Sequence, residues 1–67
     1  MANVDRLLNK LRTDFKVASD KALAEALSVT PSVISKLRAG KQMGAPFILR
    51  VHEHTGWTAK EIRDLAA

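Results

Sequence analysis

Residues 19–40, SDKALAEALSVTPSVISKLRAG, restrict the fold more than any other stretch of the chain. Apolar residues recur there at helical spacing in two sets, Leu23, Ala24 and Leu27, then Ile34 and Leu37, so each set forms one stripe along a short helix. Only Ser28-Val29-Thr30 lies between them, too little chain for anything but a sharp corner. Ala24 is small enough for the second helix to cross closely over the first. Val29 is expected to tuck between the helices, and Thr30 to offer its hydroxyl to the open N–H groups of the second. Pro31 fits the first position of that helix, where no N–H is needed. Gly40 supplies a left-handed stop. Asp20, Lys21 and Glu25 are expected to face outward, as are Pro31, Ser32, Ser35, Lys36 and Ala39, with Val33 at the edge of the buried seam.

The same reading places three more helices around this pair. Residues 3–15 carry Val4, Leu7, Leu8, Leu11 and Phe15 on one stripe, with Asn3 as a cap, Asp5 in the first turn and Arg6, Lys10 and Arg12 off the stripe. A connector, Lys16-Val17-Ala18, leads to Ser19 as the cap of the next helix. After the loop GKQMGA (40–45), Pro46 opens a helix with Phe47, Ile48, Val51 and Thr55 on one face, ended by Gly56. Thr58 and Glu61 then make a capping box, flanked by Trp57 and Ile62 as a hydrophobic staple, for a last helix ending near Leu65. The expectation is an all-α chain of five helices around one core.

The run L-A-x-x-L-x-V-T-x-S-x-I-S-x-L-x-x-G over residues 23–40 closely resembles the motif of the phage repressor and Cro family, the lambda-repressor-like DNA-binding domains. Residues 46–65 resemble the fourth and fifth helices of the same domain, so the likeness covers nearly the whole chain. It implies a helix-turn-helix at 19–40 with a recognition helix at about 31–39. That helix would enter the major groove of double-stranded DNA, and two copies would sit on a pseudo-palindromic site about one turn apart. The implied output is control of transcription by occupancy, as in a phage or prophage repressor. By the family's pattern Ser32, Val33 and Lys36 would read bases, Lys36 the most discriminating of them. Ser19, Lys21, Ser35, Lys41 and Gln42 would contact phosphates. Val33 is equally readable as core. Ile62 and Leu65 would either close the core or pair with a symmetry mate.

Four positions depart from the family's pattern. Asp20 stands where a glutamine often reaches a phosphate, and its negative charge suits the helix start instead. Ser28 occupies a corner usually given to glycine, and Pro31 replaces a long polar base reader. Ala39 stands where an amide often helps to grip the strand. These departures leave room for an alternative, a protein-interaction module that keeps the fold without DNA contacts.

Charge patterning agrees with a polyanionic partner. The net charge is +4, and between Glu25 and Glu53 the only charged residues are Lys36, Arg38, Lys41 and Arg50. That surplus lies on and just after the proposed recognition helix. The chain has no cysteine, so neither disulfides nor thiolate metal sites support it. A length of 67 residues fits one domain. No apolar run is long enough for a membrane span, and Asp5 and Arg6 interrupt any signal-peptide core, so a cytoplasmic location is expected.

Other chemistry finds little to rest on. His52 and His54 project about 200° apart on a helix and cannot share an ion, so no metal is expected. His52 is read as a partly buried, hydrogen-bonded side chain. The Gly40-Lys41 pair lacks the spacing of a P-loop, no cofactor or small-molecule ligand is indicated, and no nucleophile has a base beside it in sequence. An enzyme is therefore not expected. The closing Leu65-Ala66-Ala67 resembles the end of a bacterial degradation tag, with helix-friendly alanines closing a small domain as the simpler reading.

Overall fold

The computed structural model describes residues 4–67, and the expected Asn3 cap lies outside them. The described chain forms five α-helices: α1 Val4–Phe15, α2 Asp20–Ala26, α3 Pro31–Arg38, α4 Ala45–Thr55 and α5 Ala59–Leu65. The apolar stripes meet in one core, with Leu7, Leu8 and Leu11 of α1 fully buried beside Leu23, Ala24 and Leu27, then Ile34, Val51 and Ile62. Leu37, Phe47, Ile48 and Ala66 complete it. Val4, Phe15, Val17, Val29, Val33, Met43, Trp57 and Leu65 pack around its rim. Helix α1 packs closely on α2, α3 and α5, α2 on α3 and α4 on α5, while Phe47, Ile48 and Val51 carry α4 into the shared core. No helix is long and apolar enough to cross a membrane among the described residues.

How the helices stop explains how the chain turns so tightly. After α1, α2 and α3 one residue adopts a left-handed backbone: Lys16 at φ 56°, Ser28 at φ 58° and Gly40 at φ 103°. In each case its N–H and the next residue's N–H return to the helix. The bonds are Lys16 to Thr13 and Val17 to Arg12, Ser28 to Glu25 and Val29 to Ala24, and Gly40 to Leu37 and Lys41 to Lys36. This is the Schellman arrangement, which satisfies carbonyls that would otherwise be orphaned. The residue after the first two left-handed positions is a valine packed on the core, Val17 or Val29. After Gly40 the same place holds the exposed Lys41. Helix α4 ends more simply, on Gly56 at φ 78°, whose N–H donates to the His52 carbonyl at 2.8 Å. Gly44 needs no such freedom, since an added Cβ would stand at an ordinary 3.5 Å from Pro46 Cδ.

Two expected caps form and one does not. Ser19 Oγ accepts the Ala22 N–H at 3.1 Å, and Thr58 Oγ1 accepts the Glu61 N–H at 3.1 Å. Thr30 makes no side-chain cap. Its own carbonyl takes the Val33 N–H at 3.0 Å, the donor the hydroxyl would have met, so the hydroxyl is left to solvent. Two bonds not foreseen close the end of α4. Thr55 Oγ1 donates to the Val51 carbonyl at 2.7 Å and accepts the Trp57 N–H at 3.0 Å, fixing the chain as it leaves α4.

Candidate nucleic-acid interface

The outward face of α3 is set by its inward one. With Ile34 and Leu37 buried, helical geometry turns Ser32, Ser35 and Lys36 to solvent, and all three are exposed, as are Pro31 and Ala39. Val33 is half-buried and packs on the core while still edging the surface. It therefore combines the two roles that its position at the margin of the seam left open.

The ending of α3 brings its cations together. The Lys41 N–H donates to the Lys36 carbonyl at 3.1 Å, so the two lysines leave the same closing turn. Both line a shallow hollow of about 390 Å³ with Val33, Leu37, Gln42, Gly44 and Phe47. Four of the expected contacts, Val33, Lys36, Lys41 and Gln42, thus border one concavity. Ser32 and Ser35 lie on the adjoining face of α3, while Ser19 and the exposed Lys21 stand at the start of α2, outside the hollow. Ser19 already accepts a backbone N–H, and its own hydroxyl proton remains available to a phosphate.

Arg38 departs from the sequence expectation. Read from the sequence it is one of the few cations on the recognition-helix segment, but its guanidinium turns inward across α1 and α2. Nε donates to Asp20 Oδ2 at 3.1 Å and Nη2 to Asp20 Oδ1 at 2.9 Å, a two-pronged pair. Nη1 donates to Asp5 Oδ1 at 2.8 Å, and Nη2 also reaches Asn9 Oδ1 at 3.1 Å. Asp20 accordingly does not face away, as its place on α2 suggested. The hydrogen bond from Arg38 holds its carboxyl below the usual carboxylate range against the opposing effect of burial, helped by the charges of Arg38 and Arg12. Arg50, the other cation of the segment, pairs with Glu53 at 3.7 Å. The positive surplus on this side therefore narrows to Lys36 and Lys41, to which no carboxylate is bridged among the described residues.

The partners of Arg38 lie 18, 29 and 33 residues away in the chain, so no local pattern could have announced them. Arg12 is also more than a solvated charge, since its Nη2 donates to the Ala18 carbonyl and steadies the link between α1 and α2. The histidines have separate partners. His52 is exposed rather than partly buried, and its Nδ1–H donates to the Trp57 carbonyl at 2.8 Å. Its place on the α4 stripe opens onto solvent because α5 covers α4 only in part. His54 meets the Phe15 ring edge-on, with centroids 6.5 Å apart.

Of the two residues with alternative roles on α5, Ile62 is fully enclosed in the core, which leaves it no surface for a symmetry mate. Leu65 is half-buried. Ala66 is 5% exposed and its N–H bonds back to Ile62 and Arg63, so it is docked on the core, while Ala67 beyond it is exposed. Comparison of the chain with protein-family models, curated proteins and solved structures finds no match.

Proposed function

We propose that this chain is a lambda-repressor-like reader of double-stranded DNA that regulates transcription by occupying its site. In this reading α2 and α3 form the helix-turn-helix and α3 lies in the major groove. Ser32, Val33 and Lys36 face base edges, and Lys41, Gln42, Ser35, Ser19 and Lys21 face the phosphate strands. Two copies bind a pseudo-palindromic operator. The observation that carries the reading is the outward face of α3, where small polar side chains are followed by Lys36 and Lys41, tied to one closing turn without a carboxylate partner. Lysine can donate to guanine O6 and N7, and serine hydroxyls pair with most base edges, so such a face suits groove contact at short range.

A second reading is favoured by the inward tie of Arg38 to Asp5 and Asp20, which removes one cation from this side. The face would then meet a protein. Selection of duplexes from a random pool, repeated at low and moderate salt, separates the two. Enrichment of a palindrome with half-sites about one turn apart is the expected result. Salt-sensitive retention without enrichment would reduce the chain to a non-specific binder. Failure to retain duplex at either salt would refute DNA reading and favour the protein partner.

A further inference from the structure

On the side of the molecule formed by α4 and α5, a hollow of about 320 Å³ opens between the two helices. Ala45, Ile48, Leu49 and His52 line it from α4, at the i, i+3, i+4 and i+7 positions of one stripe, and Ala59 and Arg63 line it from α5. The alanines make the depression. Beside them Leu49 stands 55% exposed, the exposed large hydrophobic residue of the described chain. A projection and a depression therefore share one face, and no residue of α2, α3 or the 40–44 loop belongs to it.

We propose that this face binds a second copy of the chain across a two-fold axis near Leu49, each Leu49 entering the other's hollow beside Ala45 and Ala59. A two-fold contact requires a surface that fits itself, and a knob next to a hole on one stripe meets that requirement. Charge placement selects the antiparallel orientation. The chain doubles back at Gly56, so Arg63 lies toward the start of α4, where it also lines a second hollow with Gly40, Lys41, Gln42 and Met43. Glu53 lies toward the other end of α4. When two α4 helices cross head to tail, the Glu53 end of one copy overlies the Arg63 end of the other. Glu53 can then exchange its exposed intrahelical partner Arg50, at 3.7 Å, for Arg63 of the second copy. The face is one side of two short helices, so the contact falls at the small end of specific interfaces, below about 1,200 Å² in total, and self-association is weak.

The outward face of α3 stays open in such a dimer. The interface does not depend on DNA binding and is tested without DNA, so failure of either reading leaves the other standing. Sedimentation equilibrium of the full chain across a concentration series, up to its solubility limit, should show mass rising from monomer toward dimer. Leu49→Gln makes the projection polar and Ala59→Gln fills the depression. Both sites are exposed, and each change should weaken association at least tenfold with the helical circular dichroism unchanged. Glu53→Arg should weaken it as well, and Glu53→Arg combined with Arg63→Glu should restore it. A chain that stays monomeric throughout the series, or a dimer indifferent to both Leu49→Gln and Ala59→Gln, overturns the proposal.

Discussion

Replacing Arg38 by methionine tests how the α3 segment is held. Methionine keeps an unbranched apolar stem of similar reach, so the change isolates the guanidinium from its packing. The two-pronged bond to Asp20 is the strongest of its contacts, since the arginine side chain is 25% exposed and the aspartate 40%, which leaves solvent to screen part of the attraction. A pair of this kind stabilises by about 1 kcal/mol. Asp5 is 61% exposed, which places its pair near the bottom of the range for surface ion pairs, about 0.3 kcal/mol. The Asn9 contact adds a similar few tenths. Arg38→Met should therefore destabilise by about 1.5 kcal/mol, which lowers the melting temperature of a domain this size by roughly 6–12 °C. Double-mutant cycles in urea with Asp20→Asn and Asp5→Asn apportion the loss. The coupling to Asp20 should exceed that to Asp5 about threefold, a ratio set by the exposures above. Equal couplings, or a loss below about 0.5 kcal/mol as expected of an ordinary surface arginine, would refute this account.

Lys36→Ala should relax sequence preference and cost about 1–3 kcal/mol on the preferred duplex, while Lys41→Ala should weaken all duplexes alike and flatten the salt slope by about one unit. Equal losses on every sequence for both variants would make Lys36 a phosphate contact. Ser28→Gly relieves a left-handed φ of 58° and should stabilise the chain by up to about 1 kcal/mol in urea unfolding, because the strain removed exceeds the added chain entropy. A loss on that change would show that the serine is not strained there. Asp20 titrates lower in the folded chain than its ordinary 3.8, so the stability it contributes is present above that value and lost as pH falls through the folded one. Asp20→Asn should flatten the acid limb of the stability profile, measured by urea unfolding from neutral pH down to the acid transition. An unchanged limb would assign it to the other carboxylates.

The buried stripes were legible in the sequence because a helix repeats its inward face every three or four residues, and Leu7, Leu8, Leu11, Leu23, Leu27, Ile34 and Val51 sit where that periodicity puts them. Glycine announced the left-handed stops at Gly40 and Gly56, and the family pattern pointed to the corner at Ser28. Nothing announced Lys16, a lysine at φ 56° followed by a valine that packs on the core. The Thr30 cap failed for a local reason, competition from the residue's own carbonyl, which propensity does not rank. Exposure of Ser32, Ser35 and Lys36 followed directly from the helix phase. The removal of Arg38 from the outward charge did not, because it depends on where α1 lies across the fold. For the same reason the hollow beside Leu49 could not be foreseen, since its walls come from two helices.

The position of α1 also sets the order in which the molecule comes apart. Its three fully buried leucines lie on a helix packed closely against α2, α3 and α5, whereas α4 packs closely on α5 and meets α1 at its far end through His54 and Phe15. An excursion that lifts α4 parts one close helix packing and the edge-on contact of His54 with Phe15, but releasing the middle of α1 requires three close partners to let go at once. Amide protons in the central turn of α1 should therefore exchange with solvent only through complete unfolding, while those near the start of α4 exchange through smaller openings. Exchange rates mapped along the chain would then divide it into an early-opening layer and a last-opening one, with the middle of α1 at the centre of the second.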